Sequence, residues 1–228
     1  MAVEIRFLAH AAVELKSGDT TVLVDPFITG NPKVTVEASE LEPTHIFLTH
    51  GHRDHYGDTI EIAKRTGATV VAITEVAGEI GGEGVENVMD PNLGGTVTFD
   101  WGWVKLVPAW HTSTTPKGRV NTPAGLLIRI GETLVYHVGD TCLFSDLQLI
   151  ARRDDKVDVA FVPIGGHYTM DRHDAVTAVE FIDPSLVIPI HYGTFPPIET
   201  DAEAFKADVE SQTSAQVVIL APGETHSA

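Results

Sequence analysis

Cysteine, basic residues and long apolar runs are all scarce in this 228-residue chain. The single cysteine, Cys142, excludes an intramolecular disulfide and favours a reducing, cytoplasmic environment. Fifteen Lys and Arg residues against 32 Asp and Glu residues give a net charge of -17. This acidity argues against a nucleic-acid partner, because phosphate binding needs a basic surface. No apolar run approaches the roughly 18 residues of a membrane span and no N-terminal leader pattern appears, so we expect no membrane partner.

The remaining composition is that of an ordinary globular protein, with 43% hydrophobic and 21% charged residues. A chain of this length can bury a large core, so we expect residues 1–228 to form one domain. The apolar content also permits a homo-oligomer. Short apolar runs alternate with helical patterns, which predicts an α/β fold. The predicted strands cover residues 3–8, 12–15, 20–24, 46–48, 69–73, 124–130, 133–138, 157–164, 186–190 and 217–220.

Helices are predicted over residues 59–66, 143–153 and 174–182, with a fourth that begins near Thr200. Asp58 with Glu61, and Thr200 with Glu203, have the spacing of capping boxes.

Two longer segments are predicted to lack helices. Residues 26–43 form an irregular loop long enough to act as a lid, and residues 84–110 are predicted to be a β-meander.

A weak internal repeat indicates two halves of similar plan. Residues 18–25 resemble residues 131–140, and both segments end in Asp. His50 and His191 each follow a Pro by seven residues, with a predicted strand between. Each half would therefore deliver one Asp and one His from strand ends to a shared site.

The segment 49–56 concentrates metal-binding side chains directly behind a buried strand. It contains His50, His52, Asp54 and His55, and imidazole nitrogens and carboxylate oxygens are common ligands of divalent transition metals. His50 and His52 are two residues apart, so both project from one side of an extended segment. Asp54 and His55 are adjacent and diverge if the chain turns into a helix there. This arrangement indicates two neighbouring metals, whereas the alternative is a His-rich surface loop.

Three further donors follow apolar strands elsewhere in the chain: His111, Asp140 and His191. Any one of them alone is equally well explained as a satisfied buried side chain. Together with the segment 49–56, they make seven donors in the order His-x-His-x-Asp-His, His, Asp, His.

This order resembles the metallo-β-lactamase superfamily of binuclear metallohydrolases, whose pattern also includes Asp25. The resemblance covers essentially the whole chain and implies a four-layer αββα sandwich of two similar halves. It implies that the two metals are bridged by Asp140, and that Asp25 accepts a hydrogen bond from a ligand imidazole. The first metal would be held by His50, His52 and His111, and the second by Asp54, His55 and His191.

Three segments, residues 7–10, 163–170 and 191–196, are similar to a branch of small metal-dependent hydrolases related to L-ascorbate-6-phosphate lactonase. In that branch, His10 and His167 would lie near the metals and face the substrate, beside Asp54 at the catalytic centre. The alternative is that both are core or turn histidines.

Two metals about 3.5–4 Å apart can share one water and lower its pKa toward ~7, so that a metal-bridging hydroxide attacks the substrate. We therefore predict hydrolysis of an ester, lactone or related bond in a small molecule. Zn²⁺ is the first choice of metal, and Mn²⁺, Fe²⁺ and Ni²⁺ also suit these ligands. Lys117 and Arg119 follow His111, which favours an anionic substrate unless they belong to a solvated loop.

Three other functions fit the sequence less well. A phosphodiesterase or nuclease would use the same ligands but would need a basic exosite or an inserted domain. A di-iron redox protein would need an added flavin or persulfide module. A non-catalytic metal protein would not need an open, shared coordination position.

Overall fold

The computed structural model describes residues 2–150 and 156–228, and two seven-stranded sheets dominate this part of the chain. The first sheet has the order β14-β1-β2-β3-β4-β5-β6 and the second has the order β13-β12-β11-β10-β9-β8-β7. The strands are β1 Glu4–Ala9, β2 Ala12–Ser17, β3 Thr20–Val24, β4 His45–Phe47, β5 Thr69–Val71, β6 Val88–Met89, β7 Thr96–Phe99, β8 Gly102–Pro108, β9 Ala124–Ile130, β10 Thr133–His137, β11 Val159–Pro163, β12 Leu186–Ile190, β13 Gln216–Val217 and β14 Thr225–Ser227.

The helices are short and lie between these strands. They are α1 Arg53–Tyr56, α2 Thr59–Thr66, α3 Thr74–Gly82, α4 Leu147–Ile150, α5 Arg172–Ile182 and α6 Ala202–Gln212, with 3₁₀ turns at Ala38–Glu40 and Pro196–Ile198. Two facing sheets with helices outside them confirm the predicted four-layer αββα architecture. Within the described residues, no helix is both long enough and apolar enough to cross a bilayer.

The two sheets share one strand plan, which confirms the two similar halves. In the first sheet, β1, β2 and β3 are antiparallel and β3 to β6 are parallel; in the second, β8, β9 and β10 are antiparallel and β10 to β13 are parallel. Gly18 and Gly131 turn the equivalent hairpins with φ values of 56° and 60°.

The predicted equivalence of His50 and His191 in the two halves is wrong. The strand before His50, β4, pairs directly with β3, whereas the strand before His191, β12, is separated from β10 by β11. The strand equivalent to β12 is therefore β5, and the two histidines occupy different places in the two halves.

One apolar core fills the space between the sheets, and a second lies under helices α5 and α6. Strand β11 separates the two cores because its side chains alternate. Val159 and Phe161 belong to the core between the sheets, while Ala160 and Val162 belong to the core under the helices. A parallel strand covered on both faces is apolar throughout, as the sequence of β11 shows.

Helix α2 covers the predicted residues 59–66, but neither predicted capping box forms. The carboxylate of Asp58 makes no cap to α2, because it accepts hydrogen bonds from the backbone N–H groups of Ile28 (3.0 Å) and Thr29 (2.8 Å). Helix α6 is capped by Asp201, which accepts from the backbone N–H of Ala204, and not by Thr200.

The irregular loop predicted over residues 26–43 is confirmed, with one 3₁₀ turn at Ala38–Glu40. The loop buries Ile28, Ala38 and Leu41 in the core between the sheets, and its role as a lid stays a prediction.

Three other elements differ from prediction. Helix α3 was not predicted, and the predicted meander over residues 84–110 contains only β6, β7 and β8 in the structure. Strand β14, also not predicted, pairs with β1. Helix α4 confirms part of the helix predicted over residues 143–153, of which residues 151–153 lie outside the described residues.

Gly57 ends α1 with φ 41°, and a Cβ placed there would lie 2.1 Å from the carbonyl oxygen of Pro26. We expect Gly57→Ala to lower the free energy of unfolding by roughly 2–4 kcal/mol, because both the backbone conformation and the contact resist a side chain. Urea unfolding measures this change.

Gly81→Ala is the matched control, since no atom lies within 4 Å of the added Cβ and Gly81 is inside α3. This control is expected to leave stability unchanged or to raise it by about 0.5–1 kcal/mol. Equal effects of the two substitutions would contradict a tight contact at Gly57.

Candidate metal centre

Polar side chains gather where strands of both sheets end. His10 follows β1, Asp25 follows β3 and His191 follows β12, each by one residue. His111 lies three residues beyond β8, and Asp140 lies three residues beyond β10. In α/β folds, ligands bind at the carboxyl ends of the strands, so this edge is the expected place for a site.

The segment 49–56 adopts the predicted turn into a helix. His52 precedes α1, and Asp54 and His55 lie in its single turn with donor atoms within 4.8 Å of each other. His50 Nε2 and His52 Nδ1 are 3.0 Å apart. The donor atoms of His50, His52 and His111 form one cluster in which all lie within 4.8 Å of one another. This is the set that the resemblance assigns to the first metal.

Asp140 lies at the centre of the remaining donors. Its Oδ2 atom is 3.1 Å from His191 Nε2, 3.4 Å from His55 Nε2, 3.6 Å from His111 Nε2 and 4.0 Å from His50 Nε2. The side chain is only 3% exposed. One carboxylate oxygen therefore faces imidazoles of both predicted metal sets, as a bridging ligand would.

Asp25 fixes the orientation of His55. Its carboxylate accepts hydrogen bonds from the N–H (2.8 Å) and hydroxyl (2.6 Å) of Thr49 and from His55 Nδ1 (2.8 Å). With Nδ1 donating to Asp25, His55 Nε2 is the nitrogen that faces Asp140. A ligand imidazole is commonly held in this way by a carboxylate behind it.

Unpaired buried atoms show that these residues fit a cation. His55 Nε2 and Asp140 Oδ1 are buried without a hydrogen-bond partner in the described residues. Such atoms are costly to bury unless a further group satisfies them, and the donors around them are nitrogen and oxygen ligands of divalent metals.

The pKa values of the site show a demand for positive charge. Burial lowers the pKa of His55, but the carboxylates of Asp140 and Asp25 outweigh burial and hold that pKa well above its ordinary value. Burial raises the pKa of Asp140, but His191 and His55 bring it well below its ordinary value. Burial and the nearby His55 keep the pKa of His50 well below the usual range. A proton on His55 thus occupies the place that a cation takes, and metal binding would release it.

His10 is a buried histidine, which favours the alternative of a core residue, and its substrate-facing role stays a prediction. Two adjoining cavities open at the strand ends, one lined in part by Asp54 and Asp140 and both touching His52 and His111. The His10 side chain is fully buried and lines neither cavity. Nδ1 lies 2.9 Å from the Thr194 hydroxyl, and Nε2 lies 3.2 Å from Asp54 Oδ2. Burial lowers the pKa of His10 to about 4, although the hydrogen bond to Asp54 opposes this change. A neutral, enclosed imidazole is a poor proton donor to a leaving group.

Asp54 itself is partly accessible, with 32% of its side chain exposed. Burial alone would raise its pKa, but the hydrogen bond with His10 and the nearby His55 hold that pKa well below its ordinary value. Asp54 is therefore an ionised ligand candidate and lines the cavity.

His167 also lies outside the cavity lining. Its side chain is exposed and packs edge-on against Tyr168, with ring centroids 4.5 Å apart. Tyr168 does line the cavity, together with Phe195 and Thr112. The sequence singled out residues 163–170 but not Tyr168 as the residue that lines the cavity. The backbone at His167 is left-handed (φ 57°), so neighbouring side chains do not alternate as they would in a strand.

Lys117 and Arg119 are engaged away from the cavities. The Lys117 ammonium pairs with Glu83, and the Arg119 guanidinium donates to the backbone carbonyl of Glu75 at 3.3 Å. Neither residue lines a cavity beside the His and Asp cluster. Their role in binding an anionic substrate stays a prediction.

Strained backbone marks the site. Five non-glycine residues in the described part of the chain have positive φ: His10, Asp25, His167, Asp183 and His191. His10, Asp25 and His191 lie in or beside the His and Asp cluster, and His167 precedes the cavity residue Tyr168. Asp183 is an ordinary helix C-cap. Left-handed non-glycine residues cost on the order of 1–3 kcal/mol each and concentrate at functional sites.

Two facing sheets with a His and Asp cluster at their strand ends define a metal-dependent hydrolase of the metallo-β-lactamase type. The chain belongs to this superfamily, since residues 4–191 match the family model described as a β-lactamase superfamily domain.

Individual relatives agree with this family assignment. A UPF0173 metal-dependent hydrolase of Methanopyrus kandleri is 46% identical over 98% of this chain and 99% of its own length. One from Thermus thermophilus is 44% identical over 97% of both chains. Among solved structures, Igni18, a metallo hydrolase of Ignicoccus hospitalis, is 34% identical with a TM-score of 0.91 and covers 100% of this chain and 99% of its own.

Asp25→Asn tests whether the contact between the Asp25 carboxylate and His55 contributes to metal binding. Asp25→Asn keeps the left-handed backbone, which Asn tolerates, but weakens the hold on His55 Nδ1. We expect metal affinity to fall by about 10–100-fold. Competition with a chromophoric chelator measures the affinity.

Asp183→Asn is the control, because Asp183 has a similar φ of 52° but lies at the end of α5. Unchanged metal affinity in Asp25→Asn would show that the His55 contact does not support metal binding.

Proposed function

We propose that this chain is a binuclear hydrolase that cleaves an ester, lactone or related bond in a small substrate. One observation carries the proposal: Asp140 Oδ2 lies 3.1–4.0 Å from four imidazole nitrogens that belong to two metal-ligand sets. A closed structural site would use up its ligands on one ion, whereas a shared carboxylate beside an open cavity suits two ions with a reactive position.

The residues of this chain would hold both cations. His50, His52 and His111 would bind one, and Asp54, His55 and His191 the other, with Asp140 between them. Imidazole and carboxylate favour Zn²⁺ and also suit Mn²⁺, Fe²⁺ and Ni²⁺. When bound, two divalent cations supply a hydroxide nucleophile at neutral pH and stabilise negative charge that develops on the substrate.

The protein groups around the ions bind and orient the substrate. Asp54, Tyr168 and Phe195 line a cavity of about 360 Å³, and a second cavity of about 490 Å³ adjoins it at His52 and His111. Cavities of this size suit a small molecule. The phenol of Tyr168 can hydrogen-bond to the substrate, and the ring of Phe195 can cover its apolar part.

The lining favours an ester or lactone over a phosphodiester. No Lys or Arg of the described residues lines either cavity, and the chain carries a net charge of -17. A nucleic-acid backbone would meet repulsion here, because its binding depends on neutralising phosphates. For Lys117 to bind an anionic substrate, it would have to leave Glu83.

The cellular compartment and the kind of partner belong to the same proposal. We place the enzyme in the cytoplasm with a small-molecule substrate as its partner, supported by the single free Cys142.

His52→Ala tests the proposed function. Removal of this imidazole takes one ligand from the first metal set, so we expect fewer than two metal ions per chain and a fall in turnover of at least about 100-fold. Metal analysis of purified protein, combined with turnover of a panel of lactones, carboxylic esters, thioesters and phosphodiesters, measures both effects.

His173→Ala is the control because His173 is exposed on α5. Hydrolysis of carboxylic esters or lactones by wild-type protein supports the proposal. Retained turnover in His52→Ala would overturn the metal mechanism, and turnover of phosphodiesters alone would overturn the substrate class.

Tyr168 gives a test of substrate binding. Its side chain is 54% exposed and forms part of the cavity wall. We expect Tyr168→Ala to raise KM for esters with an aromatic acyl group about tenfold, or about 1.4 kcal/mol, with a small effect on kcat.

Leu149→Ala is the matched control, since Leu149 is a comparably exposed apolar residue (63%) outside the cavity lining. A fall in kcat at unchanged KM in Tyr168→Ala would assign Tyr168 to the chemical step instead.

A further inference from the structure

We propose that His10 Nε2 is an additional protein ligand of the second cation, beside Asp54, His55 and His191. This inference rests on the proposed binuclear site. It adds an imidazole from the turn between β1 and β2 to the ligand set that the family resemblance implies.

The position of His10 supports direct contact with the cation. Donor atoms of His10, Asp54, His55 and His191 all lie within 4.8 Å of one another. His10 Nε2 is 3.2 Å from Asp54 Oδ2. Both atoms could therefore reach one shared cation.

The contact of the other ring nitrogen selects the required tautomer. His10 Nδ1 lies 2.9 Å from the Thr194 hydroxyl oxygen, which can accept its proton. With the proton on Nδ1, Nε2 carries a lone pair toward Asp54 and the cation. The hydrogen bond of one ring nitrogen commonly sets which nitrogen binds the metal. Without a cation, Nε2 would carry the proton and donate to Asp54.

The backbone fixes His10 relative to a predicted ligand from the other sheet. The N–H of His191 donates to the carbonyl oxygen of His10 at 2.7 Å. Both residues have left-handed φ values, 59° and 55°, and their ring centroids are 4.1 Å apart. Backbone strain at two non-glycine residues that are neighbours in space is expected where side-chain positions matter for function.

The competing explanation is that His10 only orients Asp54 through a hydrogen bond. The variant His10→Gln separates these explanations, because the amide N–H of its side chain can still donate to Asp54 but the amide is a poor ligand for a transition metal. The variant His10→Asn shortens the side chain so that no donor replaces Nε2, and Asn tolerates the left-handed backbone at this position.

The experiment is a zinc titration of metal-free protein against a chromophoric chelator, which resolves the two affinities. For His10→Gln and His10→Asn, we expect the second zinc affinity to fall at least about tenfold, with the first unchanged. The control His173→Asn alters an exposed histidine on α5. Thermal unfolding of each metal-free variant shows whether the fold is retained.

Thr194 provides an independent pair of variants. Thr194→Val removes the acceptor of the Nδ1 proton, so the second zinc affinity should fall, whereas Thr194→Ser keeps the hydroxyl and should bind zinc as the wild-type protein does.

The outcomes distinguish this inference from the proposed function. Two zinc ions per wild-type chain, with a second zinc affinity that falls at least about tenfold in His10→Gln, support the binuclear site and the ligand role of His10. Two tight sites retained in His10→Gln would overturn the ligand role of His10 and leave the binuclear hydrolase standing. Fewer than two ions in the wild-type protein would overturn the binuclear site itself.

Discussion

A buried carboxylate that must be neutralised is the constraint on which this structure depends. Asp140 is 3% exposed, and its Oδ2 atom lies within 4.0 Å of nitrogens from His50, His55, His111 and His191. An isolated buried charge is costly, so positive charge has to gather around it, as protons on imidazole or as metal ions. The four imidazoles come from both sheets and can meet only if the carboxyl ends of the strands face a common point.

The core between the sheets maintains this meeting point. It contains side chains from both sheets, such as Ile46 and Phe47 of β4 and Phe161 of β11, which end on the site side. Close-packed interiors transmit small displacements, so a change in sheet spacing would move the ligands of one half relative to the other. Backbone contacts such as His191 N–H to His10 carbonyl reinforce the same alignment.

Local patterns in the sequence were sufficient to predict the ligand candidates but not to predict the elements and contacts around them. The segment 49–56 and the Asp and His residues at strand ends could be predicted because apolar runs reveal strands. Helix α3 could not, because Gly78, Gly81 and Gly82 imitate a turn, and β14 is too polar to resemble a strand. The contacts of His10 join residues 44 and 184 positions apart, and no local spacing reveals such pairs.

The two halves use equivalent aspartates for different purposes, and His55 explains why. Asp25 and Asp140 both follow the third strand of the shared plan, β3 and β10. Asp25 holds His55 Nδ1 at 2.8 Å and is satisfied by Thr49, whereas Asp140 faces His55 Nε2 at 3.4 Å and keeps an unpaired oxygen. One imidazole therefore links the halves, with a supporting carboxylate on one nitrogen and the centre of the site on the other. Because Asp25 is engaged in holding this imidazole, the aspartate of the second half is the one that keeps an unpaired oxygen at the site.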